Sequence, residues 1–409
     1  MLWKNSNFLY LFLSRTCVFF SSGMIFLLFV TTLEQLGANS IQLSVLFIAS
    51  SIPALFFSIP AGAYVENSYL QKTIIQSDVI RAGLIGSFAL LILFIKIAPI
   101  LLYIFMFALT TMHLFYLPAH ASLLRKIIDK DVLSKANSIL NITNTASKLC
   151  SMLVTAWLIK FGTPISLILI IILVLYICSI VCITRIRPFV KNAIGNKKNF
   201  SQIKEGLIFI KEDKLLKKIF FIYTSAWMIG ASIDLYLVSY LVDVLNRGSE
   251  DLYLISIFSI SGIVVGSLIA PTLYKKIDRK IGFIFSSSIF GVTMLLFGFM
   301  LPLWVLLTAL FIGGTSQGIF LTFMITFLQD HVKEDYYARV YSFYHLLMVG
   351  ASLPGYFLFG YIIELYGHRL TGFGIGIYLI FIGFLTILIL PSLKREREDI
   401  CFQESIENG

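Results

Sequence analysis

The strongest constraint on this chain is its division into apolar blocks of about 20 residues or more, separated by short polar connections. A helix of that length crosses a hydrocarbon core of roughly 30 Å, whereas barrel strands would be about half as long and would alternate in polarity. The blocks therefore read as membrane-crossing helices. Composition closes off a soluble fold, because 58% hydrophobic and 13% charged residues leave too few polar side chains to coat a water-facing globule. Spans and connections use nearly all of the 409 residues, so no room remains for a separate catalytic domain and no enzyme is expected.

The expected spans are 8–31, 42–64, 73–96, 99–121, 137–160, 163–184, 219–242, 252–273, 281–300, 302–328, 339–363 and 371–391. The first, from Phe8 to about Val30, is too long for a removable signal peptide and lacks a small-residue cleavage site after it. The fold class that follows is an all-α membrane protein with twelve transmembrane helices in two parallel six-helix repeats. Both termini are placed on the cytoplasmic side of the cell's inner (plasma) membrane.

Charge distribution sets that orientation. With the N-terminus inside, one side collects Lys4, Lys72, the cluster Arg125, Lys126, Lys130 and Lys135, the basic stretch from Arg185 to Lys218, and the later Lys275, Lys276, Arg279, Lys280, Lys333 and Arg339. The tail residues Lys394, Arg395 and Arg397 fall there too, while the other side holds Lys96, Lys160, Arg247 and Arg369. A ratio of roughly 25 to four is the positive-inside asymmetry. The net charge of +10 is thus spread over alternate loops, not gathered into a nucleic-acid patch, and no nucleic-acid partner is expected.

The long polar interruption divides the chain into an N-terminal six-helix bundle at 1–187, a cytoplasmic linker at 188–218, a C-terminal bundle at 219–391 and a tail at 392–409. Within the linker Phe200, Ile203, Leu207 and Ile210 recur at helical spacing opposite Lys204 and Lys211. An amphipathic helix at the lipid headgroups and a plain connector both fit that pattern. Internal repetition supports the two bundles: at a common offset of about 204 positions Gly62 matches Gly266, Lys72 matches Lys276, Asp131 matches Asp335, and Lys135 matches Arg339. Leu124 with Leu328 and Ser138 with Ser342 follow the same offset. Substrate sites in such repeats lie between the halves near mid-bilayer.

Of the five cysteines, Cys178 and Cys182 stand one helical turn apart, but with no further Cys or His nearby they read as packing residues. No metal or other cofactor is expected. Gly313-Gly314-Thr315-Ser316-Gln317-Gly318 lies inside an apolar block and lacks the lysine of a phosphate loop, so it reads as helix packing and ATP hydrolysis has no residues here.

The loop between spans two and three reads Gly62-Ala-Tyr-Val-Glu66-Asn67-Ser-Tyr-Leu-Gln71-Lys72. With Asp78-Val-Ile-Arg81, Pro118-Ala119 and Lys135-Ala136-Asn137-Ser138, it resembles the major facilitator superfamily over essentially the whole chain. Glu66 stands where that family usually has Asp, and Asn67 where it has Arg. The later stretches look like the bacterial branch that includes macrolide, siderophore and peptide-antibiotic exporters. Drug antiporters of the family often carry Gly-Pro in span five; here Cys150-Ser151 aligns there, and a Pro354-Gly355 pair appears in span eleven instead.

The resemblance implies a cytoplasmic latch built from Gly62, Glu66, Lys72, Asp78, Arg81, Asp131, Lys135, Gly266, Lys276, Asp335 and Arg339. Gly62 would permit close helix approach, and Glu66 would sit against the positive end of a neighbouring helix. Asp78 and Arg81, one turn apart, can bridge each other or the Glu66 loop.

Charges inside spans are costly and face water or a partner. Arg15, Lys148 and Asp234 are the clear cases. Arg15 lies near the cytoplasmic end and can either snorkel to headgroups or serve the site. Lys148, about 16 Å along its helix, is too deep for that and is ion-paired or functional. Asn141, Asn144 and Lys148 share one stripe of span five, and Tyr223, Trp227 and Asp234 share one face of span seven. The resemblance adds His113, Tyr116, His120 and Gln317 as lining candidates.

An acid that is desolvated when a cavity closes holds a proton, and releases it when water or a cation arrives. Asp234 is the main candidate for that role, and Lys148 with Arg15 would offer positive charge to an anionic or zwitterionic solute. The expected function is proton-coupled efflux of an amphipathic small molecule by a monomeric carrier surrounded by membrane lipids. A solute importer and a lysophospholipid flippase are the alternatives.

Overall fold

A computed structural model describes residues 2–66, 68–128, 130–189, 213–332 and 334–389. The expected linker helix around residues 200–211 and the tail lie outside these. The chain folds into α1 (Ser6–Gln35), α2 (Ser40–Glu66), α3 (Leu70–Phe94), α4 (Pro99–Ile127), α5 (Lys130–Lys160) and α6 (Ile165–Arg185). After the linker come α7 (Lys214–Asp243), α8 (Leu252–Lys276), α9 (Arg279–Gly298) and α10 (Leu303–His331). The last stretch, Glu334–Ile389, is broken at Gly367 (φ 72°, ψ 170°) into α11 at 334–366 and α12 at 368–389.

Local chemistry sets these boundaries. Asn5 caps α1 by accepting from the N–H groups of Asn7 and Phe8 at 3.0 and 3.2 Å, and Asp213 caps α7 through Leu215 and Leu216. Gly37 and Gly162 take left-handed backbone (φ 73° and 70°) just past α1 and α5, a conformation that stops a helix and that glycine adopts without a Cβ penalty. Pro99 opens α4, where its missing N–H costs nothing.

Among the described residues ten helical stretches are long and apolar enough to cross a membrane, the last of them covering both α11 and α12. The protein is a multi-pass, all-helical membrane protein. Large apolar side chains such as Leu90, Phe94, Leu268 and Trp304 remain exposed on the helices, as lipid contact requires. The helix α5 is not among the ten; its 31 residues would reach about 46 Å, but they carry Asn141, Asn144 and Lys148 inward from the first turns.

Contacts divide the chain into two units. The first comprises residues 1–199 with 232–253 and 352–364, so the later parts of α7 and α11 belong with the first six helices. In it α1 packs on α5 and α6, α2 on α4, and α3 on α4 and α6. The second comprises residues 200–231, 254–351 and 365–409, with α9 against α10 and a core that includes Phe283, Phe320, Phe323 and Phe327.

Close backbone approach holds each unit. In the second, α8 and α10 present glycines to one another: a Cβ on Gly266 would lie 2.0 Å from the Thr315 carbonyl oxygen, and one on Gly318 would lie 2.2 Å from that of Ile263. The run at 313–318 is thus a helix-packing surface, the small-residue device that lets apolar helices gain contact in lipid. Gly62, expected to serve close approach, has open space where its Cβ would be. Two glycines that share the sequence offset therefore sit in unlike surroundings among the described residues. Gly266→Ala should destabilise by about 1–3 kcal/mol through overpacking, while Gly62→Ala should be neutral or slightly stabilising. Thermal unfolding of the two purified variants checks this, and equal shifts would contradict the packing account.

Candidate functional site

The site begins with a glycine. A Cβ on Gly23 would fall 2.0 Å from Ser151 Oγ and 2.9 Å from the Lys148 carbonyl oxygen, so only glycine lets α1 and α5 come this close. That approach fixes Lys148, whose side chain is exposed and whose Nζ stands 5.4 Å from the centre of the Phe26 ring. Phe26 meets Phe47 edge-on at 5.6 Å, and Phe47 meets Tyr356 of α11 at 5.3 Å. Tyr356 in turn lies within electrostatic reach of Asp234.

Asp234 is exposed although it sits within the apolar span of α7 and has protein around it, and Lys148 is the charged group that acts on it. A carboxylate facing lipid at that depth would cost about 2.5–3.5 kcal/mol, so an aqueous space in front of it is the favoured surrounding. Two opposite, exposed charges thus lie in the first unit, joined by a ladder of three rings.

Beside them runs a buried polar network. Arg15 is 8% exposed, donates from Nε to Asn144 Oδ1 at 2.7 Å, and contacts His120 Nδ1 through Nη1 at 3.0 Å. A guanidinium only donates, so His120 Nδ1 is bare and its Nε2–H points to the Leu11 carbonyl oxygen at 3.3 Å. Arg15 does not snorkel; neutral acceptors hold it in place. Asp78 and Arg81, 0% and 1% exposed, bridge each other, and the Arg81 guanidinium lies between the rings of Tyr116 and Tyr176 at 4.8 and 5.0 Å. Ser179 donates to Asp78 at 2.6 Å and accepts from Ser14 at 2.8 Å, while Arg81 Nη1 reaches His113 Nδ1 at 3.3 Å. This pair pins α3 to α1, α4 and α6.

A third cluster lies at the ends of helices joined by odd-numbered connections. Asp251 accepts from Lys160 and, at 2.9 Å, from Arg247, while the Ser249 N–H donates to Glu34 at 2.7 Å. Ser40 and Ser239 share a hydrogen bond at 2.7 Å, and Gly360 packs α11 on α2, where its Cβ would meet Ser44 Cβ at 2.7 Å. These contacts join α1, α2 and α5 to the later parts of α7 and α11 within the first unit.

In the second unit Tyr223 stacks on Trp227 at 6.2 Å and on Phe320 at 5.2 Å, and its hydroxyl bonds to that of Tyr344. Gln317 is half-buried on α10. Tyr223 and Trp227 therefore belong to a different unit from Asp234, although one helix carries all three. Among the residues expected in the latch, Lys72 is exposed over the Tyr69 ring at 4.8 Å, and Lys276 is exposed. The side chains of Glu66, Asp131, Lys135, Asn141, Asp335 and Arg339 lie outside the described set. Asp78 and Arg81 are interior residues that bridge each other and do not reach toward a loop. Among the described residues no group of His, Cys, Asp and Glu side chains is arranged to hold a metal.

Sequence reasoning missed Gly23, Phe26, Phe47, Tyr356, Glu34 and Asp251. Phenylalanines occur in every span, so nothing in the order of residues marks the three that line up. Asp251 between Lys160 and Arg247 carried a faint signal, since it is an acid in a loop on the side with few cations.

The class that this fold and site define is the membrane-embedded helical transporter. The chain belongs to the Major Facilitator Superfamily, whose family model matches residues 11–355. No curated protein matches the sequence. Among solved structures, a variant of the nucleoside transporter NupG shares 14% identity at a TM-score of 0.78, over 94% of this chain and 100% of that one. A POT family transporter in complex with a thioalcohol-conjugated peptide gives 12% identity and 0.74, over 93% and 95%. A bacterial homolog of the human lysosomal transporter Spinster, inward-facing and unoccupied, gives 11% and 0.73, over 94% and 96%. At such identities the likeness is one of fold.

The buried pair yields a direct expectation. Asp78→Asn leaves the Arg81 guanidinium without its counter-charge in the interior, at a cost of about 3–5 kcal/mol. Replacing the pair together, Asp78→Asn with Arg81→Met, should recover part of that loss. Thermal unfolding in detergent separates the outcomes, and a single variant as stable as the parent would mean that Arg81 has another counter-ion.

Proposed function

We propose that this protein is a secondary active transporter that exports an amphipathic small molecule, such as an antibiotic, siderophore or modified peptide, in exchange for protons. The reading includes twelve spans with both termini on the cytoplasmic side of the inner membrane. It places bundles at 1–187 and 219–391 on either side of the linker 188–218, with the tail at 392–409, in a monomer. The observation that carries it is the pair of opposite, exposed charges Lys148 on α5 and Asp234 on α7, with Lys148 acting electrostatically on Asp234. A carboxylate there exchanges a proton for a cationic group without leaving the site, which couples the two fluxes.

Movement needs contacts that break cheaply. Lys160 and Arg247 are 45% and 44% exposed, while the Asp251 carboxylate they share is 8% exposed. Each bridge is open to water on its cationic side only and is worth somewhat more than the roughly 0–1 kcal/mol of a fully exposed pair. The cluster around Asp251 is the releasable clasp in this reading, and rocking of the bundles would open and reclose it. Asp251→Asn should leave the protein folded at a cost of about 1–3 kcal/mol while speeding thiol labelling of a Ser40→Cys reporter, since Ser40 is buried against Ser239. Unchanged labelling would show that Asp251 does not hold that end closed.

The decisive residue is Asp234. In energised inverted vesicles the parent should accumulate substrate, and Asp234→Asn should abolish uphill, pH-driven accumulation while leaving downhill exchange measurable. The amide mimics the protonated acid, so binding and rocking survive without net proton movement. Full pH-driven accumulation by a folded Asp234→Asn protein would rule out the proton-carrier role.

A further inference from the structure

We propose that the Lys148 and Asp234 site takes zwitterionic solutes with an aromatic body, the anionic end on Lys148 and the cationic end on Asp234. This rests on the transport reading above and narrows its substrate class. The two residues are both exposed and act on one another electrostatically, yet among the described residues they form no salt bridge with each other or with any third group. A pair serving only to hold helices together would close to contact, because opposite charges kept apart forgo most of their attraction. The gap is instead the space of something carrying both complementary charges.

The rings say what the rest of that molecule is. Phe26 stands under Lys148, Phe47 follows at 5.6 Å, and Tyr356 follows Phe47 at 5.3 Å beside Asp234. Phe47 is 4% exposed and backs the ladder, so the half-buried rings of Phe26 and Tyr356 are the ones a solute's ring can meet edge-on or offset. A solute lying against Phe26 and Tyr356 would place its charged ends where the protein's charges already are. Polarity is fixed by Arg15, a second cation of the α1 and α5 pair whose described partners are neutral, so the Lys148 end is the positive one. A solute with one charge would leave the opposite residue unpaired when water leaves the site, which is the penalty that sets selectivity.

Three probes with one aromatic body isolate the charges: the dipeptide phenylalanyl-phenylalanine, its C-terminal amide, which is a cation, and its N-acetyl form, an anion. Binding to the purified full chain in lipid nanodiscs should favour the dipeptide over both by about tenfold or more. Lys148→Met should erase its advantage over the amide only, and Asp234→Asn its advantage over the N-acetyl form only. Lys148→Arg should keep the preference. This crossed pattern is what a merely structural role would not produce. Equal binding of the three probes, no binding of any, or a uniform loss in either variant would overturn the proposal. Selective dipeptide binding without pH-driven movement in vesicles would leave the site's specificity standing and overturn the proton-coupled reading. Transport of other solutes with no zwitterion preference would do the reverse.

Discussion

The cost of placing a charge in hydrocarbon governs the rest of this structure. Five charged side chains deep in the described helices of the first unit meet that cost in three ways. Asp78 and Arg81 neutralise each other behind two tyrosine rings. Arg15 keeps its charge but surrenders its donors to Asn144 and to the bare nitrogen of His120. Lys148 and Asp234 do neither and face open space. Stability therefore explains the first three, and only the last two call for a functional explanation.

The same economy of contact shapes the frame. Apolar helices gain nothing from burying oily surface away from lipid that is equally oily, so they associate through close backbone packing. Gly23 brings α1 to α5, the paired glycines of α8 and α10 interlock, and Gly360 brings α11 to α2. These contacts are rigid and local. The cluster around Asp251 is of another kind, two exposed cations on one buried carboxylate, and it is the contact proposed to be made and broken. A transporter needs both: stiff bundles to hold a site, and a soft seam where access can change.

Much of the architecture was legible in the sequence because hydropathy and loop charge are one-dimensional signals. The helices fall close to the expected spans, and even α5, too polar to qualify as a membrane span on composition and length, lies where 137–160 was expected. Lys148 and Asp234 were legible for the same reason, since a charge in an apolar block stands out. What could not be read was three-dimensional. The ring ladder links α1, α2 and α11 across more than 300 positions, and its residues look like any other aromatics. The glycines at 62 and 266, both expected in a latch, share a sequence offset but not an environment, because the backbone of α10 crosses Gly266 while no described residue comes within 4 Å of a Cβ on Gly62.

Water at the Lys148 and Asp234 site is the central claim, and thiol chemistry tests it most directly. In a variant with its own cysteines replaced, single cysteines at Lys148, Asp234 and Leu90 are exposed to a charged, membrane-impermeant thiol reagent. Leu90 is 61% exposed on an apolar face, so it reports exposure to lipid. The account predicts that positions 148 and 234 react much faster than position 90, because only water allows a thiolate to form and a charged reagent to reach it. Equal, slow reaction at all three positions would contradict it, leaving the two charges in lipid or sealed protein.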